Sequence, residues 1–115
     1  MSVSLARVRK HAMSLPEVTE EPHFELLSWR VRGKIFATIP PEPHRLRLML
    51  GEGDAHEAVA ALPDAVEELR WGRKLAGVTV RLDRIAASDV VDLVESAWRR
   101  RAPKTLVPEL DARGT

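Results

Sequence analysis

The chain of 115 residues has no cysteine. That excludes disulfides, thiolate metal sites and cysteine nucleophiles together, and it fits a reducing compartment. No apolar run approaches the roughly 20 residues that a membrane-spanning helix needs. The opening Met1-Ser2-Val3-Ser4-Leu5 turns charged too soon to form the apolar core of a signal peptide. A soluble cytoplasmic protein without membrane contact is the expectation. Neither sign of charge dominates: 18 Lys and Arg stand against 17 Asp and Glu, for a net charge of +1. Bulk electrostatics therefore announce no polyanion partner. Catalytic patterns are lacking too. His11, His23, His44 and His56 fall on separate predicted elements, with no HxxxH or HExxH spacing. Gly51-Glu52-Gly53 lacks the third glycine and the following Lys-Ser/Thr of a phosphate loop, and no serine has a nucleophile-elbow context. The chain reads as non-enzymatic, with no cofactor, no metal and no internal repeat.

What is present suits one domain around one core: 44% of the residues are hydrophobic. Fourteen of the 18 basic residues are Arg. Arginine forks onto phosphate, although GC-rich coding produces the same bias. Leu5, Val8, Ala12 and Leu15 keep a helical period after Ser2 or Ser4 as N-cap, and Pro16 ends the helix. Residues 17–23 read as an acidic connector. A hairpin is expected from residues 24–31 and 34–39 across Gly33-Lys34, then a third strand at Leu46, Leu48 and Leu50. Asp54 with Glu57 forms a capping box for a short helix. Val66–Trp71 is read as a fourth strand, with a further helical turn as the alternative. Val78, Val80 and Leu82 mark a fifth strand. Ser88 caps a final helix through Arg101, with aspartates in its first turn and arginines in its last. A turn at 106–110 follows, and residues 111–115 are expected to fray.

The fold class is thus α+β, in the order α-β-β-β-α-β-β-α. Short connections favour antiparallel pairing. Strands apolar on one side only imply helices on one face of the sheet and solvent on the other.

Several stretches, taken in order, resemble the MmcQ/YjbR family: Leu15-Pro16-Glu17-Val18-Thr19-Glu20-Glu21, residues 29–37 with their Gly33-Lys34-Ile35-Phe36 turn, residues 78–83, and Ala97-Trp98-Arg99-Arg100-Arg101-Ala102-Pro103-Lys104. The resemblance covers nearly the whole chain. It implies a compact antiparallel sheet packed by helices, similar to the CyaY-like fold, and a DNA-binding role through a "double wing" of helices and hairpins. The sequence departs from the family at Leu75-Ala76-Gly77, where many members carry Trp, and at Ala97-Trp98, where many carry Ser-Tyr.

Strand parity puts Leu27, Trp29, Val31, Ile35, Ala37 and Ile39 inward, with Leu46, Leu48, Leu50, Val78, Val80 and Leu82. The opposite parity gathers Arg30, Arg32, Lys34, Phe36, Arg45, Arg47, Arg70 and Arg81 on one outer surface. Such a face bonds phosphates and stacks a base on Phe36, making DNA the expected partner of a monomer. An ordinary solvated face, with arginine stems covering the sheet, has the same composition. The alternative role is a small-ligand or protein-binding module. A second cluster, Glu17, Glu20, Glu21, His23 and Glu25, has oxygen donors for a hard cation but no fixed ligand spacing, and reads as surface. Trp29, Trp71 and Trp98 are assigned to the core.

Overall fold

The computed structural model describes residues 2–113. Helix α1 (Leu5–Ser14) begins where the Ser4 hydroxyl accepts from the Arg7 amide at 3.2 Å. It stops at Leu15, ahead of Pro16, whose missing N–H cannot continue it. Six strands follow: β1 (Val18–His23), β2 (Leu26–Val31), β3 (Lys34–Ile39), β4 (Arg45–Met49), β5 (Val66–Trp71) and β6 (Lys74–Arg81). Helix α2 (Glu52–Ala61) separates β4 from β5, and α3 (Ala87–Arg101) and α4 (Val107–Arg113) close the chain. All pairings are antiparallel, in the order β1-β2-β3-β4-β6-β5. The α+β reading therefore holds, with Val66–Trp71 a strand.

Four local expectations are corrected. The segment read as an acidic connector is the edge strand β1, paired along its length with β2. Helix α2 starts at Glu52 after Gly51, with no side-chain cap, so Asp54 and Glu57 lie inside it and form no capping box. Helix α3 starts after Ala86, not Ser88. Asp111, expected to fray, lies in α4 and accepts from Arg99 at 2.6 Å. Gly114 and Thr115 lie outside the described residues.

The core lies between one face of the sheet and the helices. Trp29, Val31, Leu46, Leu48, Val78 and Val80 are fully buried against Val8 and Ala12 of α1 and Val90, Val94, Ala97 and Trp98 of α3. Trp98 also donates its indole N–H to the Pro16 carbonyl at 3.1 Å. That bond satisfies the one polar atom of a buried ring and ties α3 to the end of α1.

Hairpins β2–β3 and β5–β6 are built alike. Each closes through two residues, Arg32-Gly33 between Val31↔Lys34 and Gly72-Arg73 between Trp71↔Lys74. Both turn residues of the first have positive φ (48° and 81°), and Gly72 alone does in the second (62°). Mirror-image turns of this kind match the twist of the flanking strands. Each hairpin then carries one extra residue at the same distance from the turn: Phe36, between Trp29↔Ala37 and Arg30↔Ile35, and Ala76, between Leu69↔Gly77 and Arg70↔Leu75. The two hairpins show opposite faces to the helices, so Val31 is buried while Trp71 at the equivalent position is 59% exposed.

Candidate nucleic-acid interface

The bulge rearranges the expected outer face. An extra residue resets alternation by one. Phe36 consequently joins the core at 0% exposure, while Ile35, expected inward, turns outward beside Arg30. Leu27, also expected inward, is 39% exposed near the sheet edge. Arg70, and Glu68 with it, is not on the outer face: Glu68 pairs with buried Val78 and reaches His56 of α2 at 3.4 Å. Trp71 is not a core residue.

Arg30, Arg45, Arg47 and Arg81 do share the outer face, since Arg45 stands opposite Arg81 and Arg47 opposite Thr79. Most are engaged within the protein. Arg30 lies over the sheet, donating to the Ser28 hydroxyl and the Pro22 carbonyl, both at 3.1 Å. Arg45 and Arg81 flank Asp83, at 4.0 and 3.8 Å. Arg32, in the first turn, forks onto Glu17 at 3.0 and 2.9 Å. That pair lowers the Glu17 pKa and raises that of Arg32, chiefly through their hydrogen bonds. The acidic cluster is divided among separate partners: Glu20 accepts from Arg9 at 2.7 Å and from the Trp29 indole at 3.0 Å, and Glu21 from Thr19 at 2.7 Å. The two bonds to Glu20, Arg9 first, hold its pKa below the ordinary value of 4.5. Among the described residues no group of three or more His, Asp or Glu is placed to hold a metal.

Arg47 has no side-chain partner among the described residues, and a further group of such cations lies at one end of the sheet. Strands β2, β4 and β5 run the same way, so the β2–β3 and β5–β6 turns sit at one end of the sheet, together with the exit of β4, while the β1–β2 turn, Phe24-Glu25, lies at the other. The last turn of α3 reaches that end, because Arg100 Nε approaches the Cβ direction of Gly51 to 3.6 Å. Lys34, Arg73, Lys74 and Arg100 are exposed there, and their side chains have no carboxylate partner among the described residues. Arg101 joins them, half-buried, with a buried Nε lacking a hydrogen-bond partner. Burial, with Arg100 beside it, holds its pKa below the usual guanidinium value.

A cavity of about 290 Å³ opens on the outer face. Leu26, Ile35 and Met49 give it an apolar wall, and Thr38 and Arg47, partners across the short β3–β4 seam, line it. Phe24, in the β1–β2 turn, and Trp71, the last residue of β5, are exposed by 93% and 59% and line it with His23 and Arg101. Arg47 stands on the outer face as the strand parity implies, but Lys34 does not: it pairs with core-facing Val31 at the hairpin end. Strand parity does not single out Arg73, Lys74 or Phe24, and it leaves Arg100 and Arg101 as helix-dipole partners. The available signal was the second glycine-led turn, Gly72-Arg73-Lys74, echoing Gly33-Lys34.

Comparison with known proteins agrees with the sequence resemblance. The YjbR family model matches residues 13–100. A solved structure of the Deinococcus radiodurans protein DR2400, with a DUF419 domain, shares the fold with a TM-score of 0.72 at 22% identity, over 94% of this chain and 88% of that one. No curated protein matches the chain.

Proposed function

The chain belongs to the YjbR family, and from that premise we propose that it is a non-enzymatic, monomeric DNA-binding module of the cytoplasm. Its contact surface is the hairpin end of the sheet. One observation carries this reading: Lys34, Arg73, Lys74 and Arg100 converge there without carboxylate partners among the described residues, whereas Arg32, Arg45 and Arg81 have them. Unpaired cations release counterions from a phosphate backbone at no cost in internal ion pairs. Two turns flanking a helix end also suit a double-wing contact. Among the described residues no helix is long and apolar enough to cross a membrane, in keeping with a partner met in solution.

The test is DNA binding by fluorescence anisotropy over a salt series. Replacing Lys34, Arg73 and Lys74 by Gln should flatten the salt slope by roughly 2 to 3, at about 0.7–0.9 per lost phosphate contact. Replacing Arg45 and Arg81 should change it little. A parent protein with no salt-sensitive affinity below about 100 μM, the weak end of non-specific binding, overturns the reading. The cavity supports a second reading, a module for a small ligand alone. Under it, ligand would bind with no accompanying affinity for DNA.

A further inference from the structure

The cavity adjoins the basic end of the sheet, and its lining differs from what a double helix would require. Bases in a duplex present only their edges, and rings lining a cavity have nothing there to stack on. Yet Phe24 and Trp71 both line this cavity and are largely uncovered by the protein. Phe24 holds a φ of 57°, a conformation that bulky side chains rarely adopt, in the turn that displays its ring. Between the aromatic groups the polar capacity is unused. The Thr38 hydroxyl and the Arg47 guanidinium make no side-chain hydrogen bond or ion pair among the described residues. Arg101 is in the same condition, with its Nε buried. No carboxylate lines the cavity. The occupant that matches these groups is a flat ring with edge acceptors, attached to an anion. The volume, about 290 Å³, is at the lower limit of ligand sites, about 300–1,000 Å³, so it suits one such unit.

We infer that the nucleic acid held at the hairpin end is single-stranded, and that this cavity receives one unstacked nucleobase from it. The inference rests on the nucleic-acid reading of that end. The base stacks on Trp71 or Phe24, Thr38 and Arg47 reach its edge, and Arg101 meets the adjoining phosphate. Aromatic stacking of this kind tolerates any base, because each has a π-face, so little sequence preference follows.

The experiment compares four probes on the full chain: a short single-stranded oligodeoxynucleotide, its duplex, the same strand with abasic sites throughout, and a nucleoside monophosphate. The abasic strand keeps the phosphates and removes the rings. The single strand should bind tighter than the abasic strand by about 5- to 150-fold, the range for one stacked base. It should also quench the emission of Trp71, since Trp29 and Trp98 are fully buried. Trp71→Ala should erase most of that difference, and Arg47→Gln should reduce it without touching an aromatic residue. Equal affinity for single strand, duplex and abasic strand overturns the inference and leaves the DNA reading standing. A monophosphate that binds as tightly as the oligonucleotide overturns it in favour of a free-nucleotide site. Absence of binding by all four removes the DNA reading and this inference with it.

Discussion

Replacing Gly77 by Ala tests the centre of the fold. A Cβ on Gly77 would collide with the Leu48 carbonyl oxygen, and would stand 2.9 Å from the Leu50 nitrogen and 3.0 Å from the Leu48 carbonyl carbon. All three are main-chain atoms on the β4 side of the β4–β6 pairing, so no side chain can rotate away. Relief requires β6 to move off β4. If two ladder bonds are lost, at roughly 0.5–1.5 kcal/mol each, and the buried pairs Leu48–Val78 and Leu46–Val80 loosen at an overpacking cost of about 1–3 kcal/mol, the total is about 2–6 kcal/mol. At around 4 °C per kcal/mol for a domain of this size, the melting temperature should fall by some 8–24 °C. Two other glycines serve as controls. Gly53, in α2, has nothing within 4 Å of its Cβ direction, so Gly53→Ala should gain about 0.5–1 kcal/mol of helix propensity. Gly33 is equally open but has φ +81°, so Gly33→Ala should cost about 1–2 kcal/mol of left-handed strain. Thermal unfolding followed by circular dichroism should rank them Gly53→Ala above the parent, then Gly33→Ala, then Gly77→Ala. A Gly77→Ala protein melting within about 3 °C of the parent would refute the close approach of β6 to β4.

Other expectations concern the core and its border. Trp98→Ala should lose about 3–5 kcal/mol as a buried aromatic truncation. Trp98→Phe, which removes the donor to the buried Pro16 carbonyl, should lose about 1–3 kcal/mol in urea unfolding. Equal midpoints for Trp98→Phe and the parent would contradict the hydrogen bond. Glu20 has a folded pKa below its ordinary 4.5, so its contribution to stability is present above that value and disappears as pH falls through the folded pKa. Midpoints of unfolding should therefore drop on acidification below about 4.5, and Glu20→Gln should flatten that acid limb. A variant with the parent's acid dependence would show that Glu20 does not carry it.

The apolar alternation of β2, β4 and β6 and the periods of α1 and α3 were legible because one face of each element is buried, which writes the period into the sequence. Strand β1 was not. Its middle residues are all exposed, and its Thr-Glu-Glu-Pro carries no apolar alternation; its structure comes from hydrogen bonds to β2 rather than from burial. Phe36 and Ile35 were misplaced by one extra residue, a change that leaves composition untouched and inverts every inference from parity. Residue type alone puts Trp71 inward, although a position beside a glycine-led turn at the sheet edge gives it little to pack on. At the candidate site the residue types were visible, but their pairing was not. Arg45 and Arg47 look equivalent in sequence; only the fold brings Asp83 to the first and leaves the second without a partner among the described residues.

The order β1-β2-β3-β4-β6-β5 also has a kinetic side. Every strand pair but one joins neighbours along the chain, and three of them, β1–β2, β2–β3 and β5–β6, close over two-residue turns, for which hairpin formation takes microseconds. The exception is β4 with β6, which must meet across all of α2 and β5. Loop-closure entropy is therefore concentrated in one encounter, between a four-strand meander and a two-strand hairpin that can each form first. Gly77 lies on that seam, where a missing side chain lets the two backbones approach. Its absence of a side chain sets how closely the β5–β6 hairpin can join the meander, at the one pairing whose closure is long-range.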